Sequence, residues 1–193
     1  MHSFTRSCLL GICFALSLPL AMAQNTLDQK QLEASLPIAG LYQTGLAQSF
    51  QTTAASITGA GAMLRQTEEA GPITISLWDA LPTQGGVKLA EGEARGMGST
   101  WVDTFWAPVQ AQAGKTYFLV FTSDIPYFLL TGSDDVYKLG IAYANDYTAF
   151  PQYDYAFRTY AGPASPPPVP EPATVAMLLA GLCLLMLRRR ALD

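Results

Sequence analysis

Along the middle of the chain, apolar and polar residues alternate; at both ends, apolar residues run together. Ile73, Ile75 and Leu77 alternate with Thr74, Ser76 and Trp78, a period of two that puts the aliphatic side chains on one face of a strand. Thr116 to Ser123 is almost continuously apolar and aromatic, the pattern of a strand in the centre of a sheet. Leu46–Thr52, Ala55–Arg65, Lys88–Ala94, Trp101–Trp106, Tyr127–Thr131, Val136–Ala144 and Tyr153–Tyr160 are further expected strands. Turn chemistry at Gly85-Gly86, Gly96-Met97-Gly98, Ala113-Gly114-Lys115 and Gly132-Ser133-Asp134 separates them. No amphipathic helix of useful length interrupts the series. Residues 41–161 are therefore expected to form an all-β, antiparallel β-sandwich ectodomain, jelly-roll-like in type. Residues 24–40 read as a polar leader with a weakly helical stretch from Leu27 to Leu36. Residues 162–168, with three consecutive prolines, read as an extended polyproline stalk.

The apolar ends carry addresses. Met1 to Arg6 is short and basic, Cys8 to Leu20 is nearly all apolar, and Ala21-Met22-Ala23 supplies the small residues that signal peptidase accepts. Residues 1–23 are expected to be a secretory signal peptide cut before Gln24, the alternative being an uncleaved anchor. At the other end, Val169-Pro170-Glu171-Pro172 precedes fifteen uncharged residues, Ala173 to Leu187, and then Arg188-Arg189-Arg190. A transmembrane helix over 173–187 would rise roughly 22 Å, against roughly 30 Å of hydrocarbon. Local thinning and arginine snorkelling can close that gap. The basic stop favours the cytoplasmic side, so the residues between the two ends lie across the membrane. So short a span suits a temporary anchor; a permanent single-pass anchor is the alternative.

Residues 169–193, with their Val-Pro-Glu-Pro motif, apolar run and arginine stop, resemble a PEP-CTERM sorting signal. That resemblance implies a Gram-negative producer of exopolysaccharide and recognition of the tail by exosortase, a membrane transpeptidase. It also implies an intermediate anchored in the inner membrane, then release to the cell surface or extracellular matrix. The middle of the chain carries Gln48-Ser49-Phe50, Ile75-Ser76-Leu77-Trp78-Asp79, Ala113 to Val120 and Tyr153 to Tyr160. In these it resembles the choice-of-anchor ectodomains, which implies a non-catalytic β-sandwich.

Composition narrows the chemistry. Cys8, Cys13 and His2 fall in the expected signal peptide and Cys183 in the expected membrane helix, so the exported part has no cysteine and no histidine. Ser-His-Asp and Cys-His catalysis and His- or Cys-ligated metals are thereby excluded from it. Residues 24–170 hold seven Lys/Arg against thirteen Asp/Glu, a net of −6, with no basic run. Nucleic acid is not an expected partner of such a surface.

Three chemistries remain. Sugars present flat C–H faces that stack on aromatic rings, so Trp78, Tyr143, Tyr147, Tyr153 and Tyr155 are candidates for polysaccharide binding, with Trp101 and Trp106 as further contributors. The competing reading is that these rings pack the core. Asp134-Asp135, with Asn145-Asp146, offers oxygen ligands of the kind calcium takes; the competing reading is ordinary turn chemistry. Glu91 and Glu93 share one face of a strand, the minimal arrangement for a carboxylate glycosidase and equally a solvated strand face. The sequence thus points to an exported, non-catalytic surface or matrix protein without a required cofactor, the alternatives being a carbohydrate-binding module, with or without calcium, and a hydrolase.

Overall fold

A computed structural model describes residues 25–65, 71–124 and 128–162. The expected signal peptide with its cleavage residues Ala21, Ala23 and Gln24, most of the stalk, and the sorting signal from Val169 through Arg190 lie outside them. The described residues fold into strands β1 (Thr26–Gln31), β2 (Leu36–Gly40), β3 (Leu46–Gln51), β4 (Ser56–Arg65), β5 (Gly71–Trp78), β6 (Lys88–Gly96) and β7 (Thr100–Gln110). They continue with β8 (Thr116–Thr122), β9 (Leu129–Asp134), β10 (Ala142–Ala144), β11 (Thr148–Phe150), β12 (Tyr153–Tyr155) and β13 (Phe157–Ala161). A 3-10 turn, Pro82–Gln84, lies between β5 and β6 and is closed by Gly85, the first residue of the expected Gly85-Gly86 turn.

Two antiparallel sheets face each other. The six-stranded sheet has the order β11-β10-β3-β8-β5-β6; the seven-stranded sheet runs β1-β13-β4-β9-β12, with β2 added on β9 and β7 on β4. This is the all-β sandwich expected from the alternation. Ile73, Ile75 and Leu77 are fully buried, as are Leu46, Phe50, Leu119 and, from the opposite sheet, Ile57, Leu64 and Phe157. Each such side chain contributes about 1.5–3 kcal/mol by leaving water.

A polar clasp crosses this core. Gln48 of β3 and Asp154 of β12 are both fully buried. The Gln48 Nε2 donates to Asp154 Oδ1 at 3.0 Å, and the Tyr155 N–H donates to Gln48 Oε1 at 2.8 Å. Asp154 Oδ2 accepts the N–H groups of Val136 and Tyr137 at 3.0 and 2.7 Å. Buried polar groups persist only when paired in this way. Burial pushes the Asp154 pKa up, opposed by those three donors.

Three expectations are corrected. Residues 24–40 are not a leader with helical character: β1 pairs with β13 and β2 with β9. Asp28 also accepts the Thr52 and Thr53 hydroxyls at 2.6 and 2.5 Å, tying β1 to the β3–β4 turn. Gly132-Ser133-Asp134 is not a turn but the end of β9, because β12 pairs with it residue by residue. Val136–Ala144 is strand only over its last three residues; the preceding loop takes its shape from Asp154 instead.

Candidate functional site

The outer face of the six-stranded sheet is where the expected aromatic residues gather. In β8, Tyr117, Leu119 and Phe121 point into the core, so Phe118 and Val120 point out. Register then builds two neighbouring rungs. Ser76, Val120, Ala47, Tyr143 and Ala149 lie across β5, β8, β3, β10 and β11. Trp78, Phe118 and Ser49 lie across β5, β8 and β3. Ala47, Val120 and Leu81, the last from the connection between β5 and β6, form a small buried cluster against which Trp78, Phe118, Tyr143 and Tyr147 pack, each of these four residues partly open to solvent.

Their geometry is fixed from several sides. The Trp78 Nε1–H donates to Ser76 Oγ at 2.9 Å. Phe118 and Tyr143 meet edge to face, centroids 5.9 Å apart. The Tyr155 hydroxyl, from inside the core, donates to the Tyr143 carbonyl at 3.1 Å. Tyr147 is positioned by backbone strain: Asn145, Asp146 and Tyr147 all have left-handed φ values, of 50°, 59° and 64°. For non-glycine residues that conformation costs roughly 1–2 kcal/mol each. The turn is held against the connection between β2 and β3 by the Asp146 N–H donating to the Thr44 carbonyl at 3.1 Å and by the Thr44 hydroxyl donating to Asp146 Oδ1 at 2.5 Å. Gly45 makes the approach feasible: a Cβ there would lie 2.3 Å from the Tyr147 nitrogen. Burial, with the Asp146 charge, raises the Tyr147 pKa. From β5 to β10 the platform spans three strand spacings, about 14 Å. It combines four partly exposed aromatic residues with the hydroxyls of Tyr143 and Tyr147.

Of the candidate rings, Trp78, Tyr143 and Tyr147 are brought together and Tyr153 and Tyr155 are not. Tyr155 is fully buried, meeting Phe121 at 5.8 Å inside the core; a ring there cannot stack on an external ligand. Tyr153 packs half-buried against the same core. Trp106 also packs against the core and donates to the Ile57 carbonyl at 3.2 Å, while Trp101 belongs to the other sheet. Phe118 was missed because its segment read as uniformly buried; the signal was the parity of Tyr117, Leu119 and Phe121 within it.

The acidic candidates are differently placed. Asp134 is exposed at the end of β9, and Asp135 is paired with Lys138 at 2.7 Å. Among the described residues no group of three or more Asp, Glu, His or Cys side chains converges. Glu91 and Glu93 do share an exposed strand face, as their spacing suggests, but Glu91 is paired with Lys88 at 2.6 Å and Glu93 lies 3.9 Å from Arg95.

Fold and site together define a class: a β-sandwich with an aromatic platform on one outer face, joined through a proline-rich segment to a hydrophobic, arginine-ended tail. Residues 168–190 match the PEP-CTERM protein-sorting motif. The chain is accordingly an exported protein with a C-terminal membrane-anchoring sorting signal, of the kind processed by exosortase. No curated protein and no solved structure matches the chain.

Proposed function

We propose that exosortase sorting delivers this protein to the cell surface or extracellular matrix, where the sandwich acts as a non-catalytic module that holds it to exopolysaccharide. The observation that carries the reading is the ring platform of Trp78, Phe118, Tyr143 and Tyr147, kept partly open on a sheet whose other face supplies the core. The strained 145–147 turn adds support, since strain retained at a surface aromatic is more readily understood as positioning than as packing. A non-catalytic role is favoured by an exported part without histidine or cysteine, and by the basic partners beside Glu91 and Glu93.

Affinity electrophoresis tests it, running the exported protein through gels that contain exopolysaccharide purified from the producing strain. Retardation is expected for the wild type and is strongly weakened in Trp78→Ala and Phe118→Ala variants whose thermal melts remain cooperative. Equal retardation of all three proteins would sink the assignment.

A further inference from the structure

The opposite outer face, on the seven-stranded sheet, carries a second organised group. β4 lies between β13 and β7, and its outward positions there include Gly59 and Gly61. Register places Tyr160, Gly59 and Phe105 on one rung and Arg158, Gly61 and Asp103 on the next. With only glycine between them, side chains from the two flanking strands reach across β4 and meet. A Cβ on Gly61 would lie 2.1 Å from Asp103 Oδ1, and one on Gly59 would lie 2.6 Å from the Phe105 ring.

What meets over this floor is a fixed polar pair framed by rings. Arg158 holds Asp103 through two parallel bonds, Nε to Oδ1 at 2.6 Å and Nη2 to Oδ2. The Tyr160 hydroxyl donates to the same Oδ1 at 2.8 Å. The guanidinium lies over the Trp101 ring, 4.5 Å from its centroid, and Phe105 packs against Tyr160 at 4.9 Å. Covering a glycine floor would account for the contact of Phe105 with Tyr160, yet Phe105 remains 51 % exposed, and Leu27, which pairs with Tyr160 on the other side, is equally exposed. The Arg158 charge is neutralised within the pair, so this face has little to select an anion. It offers instead a fixed donor beside a fixed acceptor, flanked by apolar ring surface. Vicinal hydroxyls, each both donor and acceptor, with C–H faces alongside, complement that arrangement.

We infer that the Trp101–Asp103–Phe105–Arg158–Tyr160 face is a second glycan-binding surface, so that one sandwich bridges two stretches of polysaccharide. The inference rests on the reading that the sandwich binds exopolysaccharide at all. The two faces stand on opposite sides of one packed core and cannot close on a single short segment. Engaging a dense matrix through both at once raises apparent affinity over either alone by roughly 100-fold or more.

The test is calorimetric titration of the exported protein, purified from the producing strain, with short oligosaccharides cut from its own exopolysaccharide. Retention on the intact polymer is measured alongside. Two sites per protein are expected for the wild type and one each for Trp78→Ala and Phe105→Ala. Either variant is expected to lose roughly 100-fold in retention on the polymer. Trp101→Ala serves as a second variant on this face; a cooperative melt for each protein separates lost binding from lost folding. A single site that Trp78→Ala abolishes and Phe105→Ala leaves intact overturns the second surface while the proposed function stands. No binding by the wild type overturns both. Self-association that Phe105→Ala abolishes, with one oligosaccharide site per protein, would give this face to a second copy of the chain and overturn the bridging.

Discussion

Replacing Gln48 by glutamate changes one nitrogen for oxygen at the centre of the fold. In the native clasp the Gln48 amide donates to Asp154 and accepts from the Tyr155 N–H, so neither end can be exchanged without loss. A glutamate keeps the acceptor for Tyr155 but sets a second carboxylate against Asp154 where a 3.0 Å hydrogen bond stood. Two such charges about 4 Å apart repel by about 4 kcal/mol at an effective dielectric of about 20. One of the pair is expected to take up a proton instead, its pKa raised well above the carboxylate range. At pH 7 the cost is then about 4 kcal/mol, a fall in Tm of roughly 8–16 °C for a domain of this size.

The sign with pH follows from the raised value. A carboxyl whose folded pKa lies above its unfolded value contributes stability that is fully present below the unfolded pKa and lost as pH rises through the folded one. The variant should therefore sit closer to wild type at pH 5 than at pH 8. The wild type shows the same sign more weakly, since burial already raises Asp154 from its ordinary 3.8. Thermal melts followed by circular dichroism at the two pH values, with Gln48→Glu alone and combined with Asp154→Asn, decide the matter. The double variant restores a donor opposite an acceptor and should recover more than half of the loss, a coupling larger than about 2 kcal/mol. Equal destabilisation at pH 5 and pH 8, or no recovery in the double variant, would refute the clasp.

Other consequences are simpler to read. Gly45→Ala puts a Cβ at a φ of +68° and against the 145–147 turn; it should cost about 2 kcal/mol or more in a urea melt and weaken polysaccharide retention with it. Gly132→Ala would place a Cβ 1.9 Å from the Asp154 carbonyl oxygen, parting β9 from β12; a loss of about 3 kcal/mol is expected, with retention unchanged in whatever remains folded. Tyr137 and Tyr160 are both pushed up to about 12, chiefly by burial, so the unfolded chain ionises first and stability should fall as pH rises from 10 to 12. An alkaline melt series flat across that range would contradict the burial of both phenols.

Much of the core could be read from the chain, because alternation is a local property: Ile73, Ile75 and Leu77 face inward as their spacing dictates, and Trp78 faces out. What could not be read depends on partners remote in sequence. β1 looks like a polar leader because an edge strand has few buried side chains, and its place is set by Asp28 on the β3–β4 turn and by pairing with β13. The loop before β10 carries the apolar Val136, Tyr137 and Leu139 of a strand, yet Asp154 captures two of its N–H groups. Tyr143 and Tyr155 are twelve residues apart and chemically alike. Only the order of strands in each sheet decides that one lies on an outer face and the other in the core. Asp103 and Arg158 give no signal at all in sequence until β4 brings them together over Gly61.

Where the sorted protein resides bears most directly on its proposed role. Quantitative mass spectrometry of the extracellular matrix and the culture medium of the producing strain, reading both the sandwich peptides and the C-terminal peptide, tests it directly. Wild-type protein is expected in the matrix without its residues beyond the sorting motif, and Trp78→Ala protein is expected in the medium, processed at the same position. Wild type and variant equally retained in the matrix, or both carrying an intact tail, would contradict it.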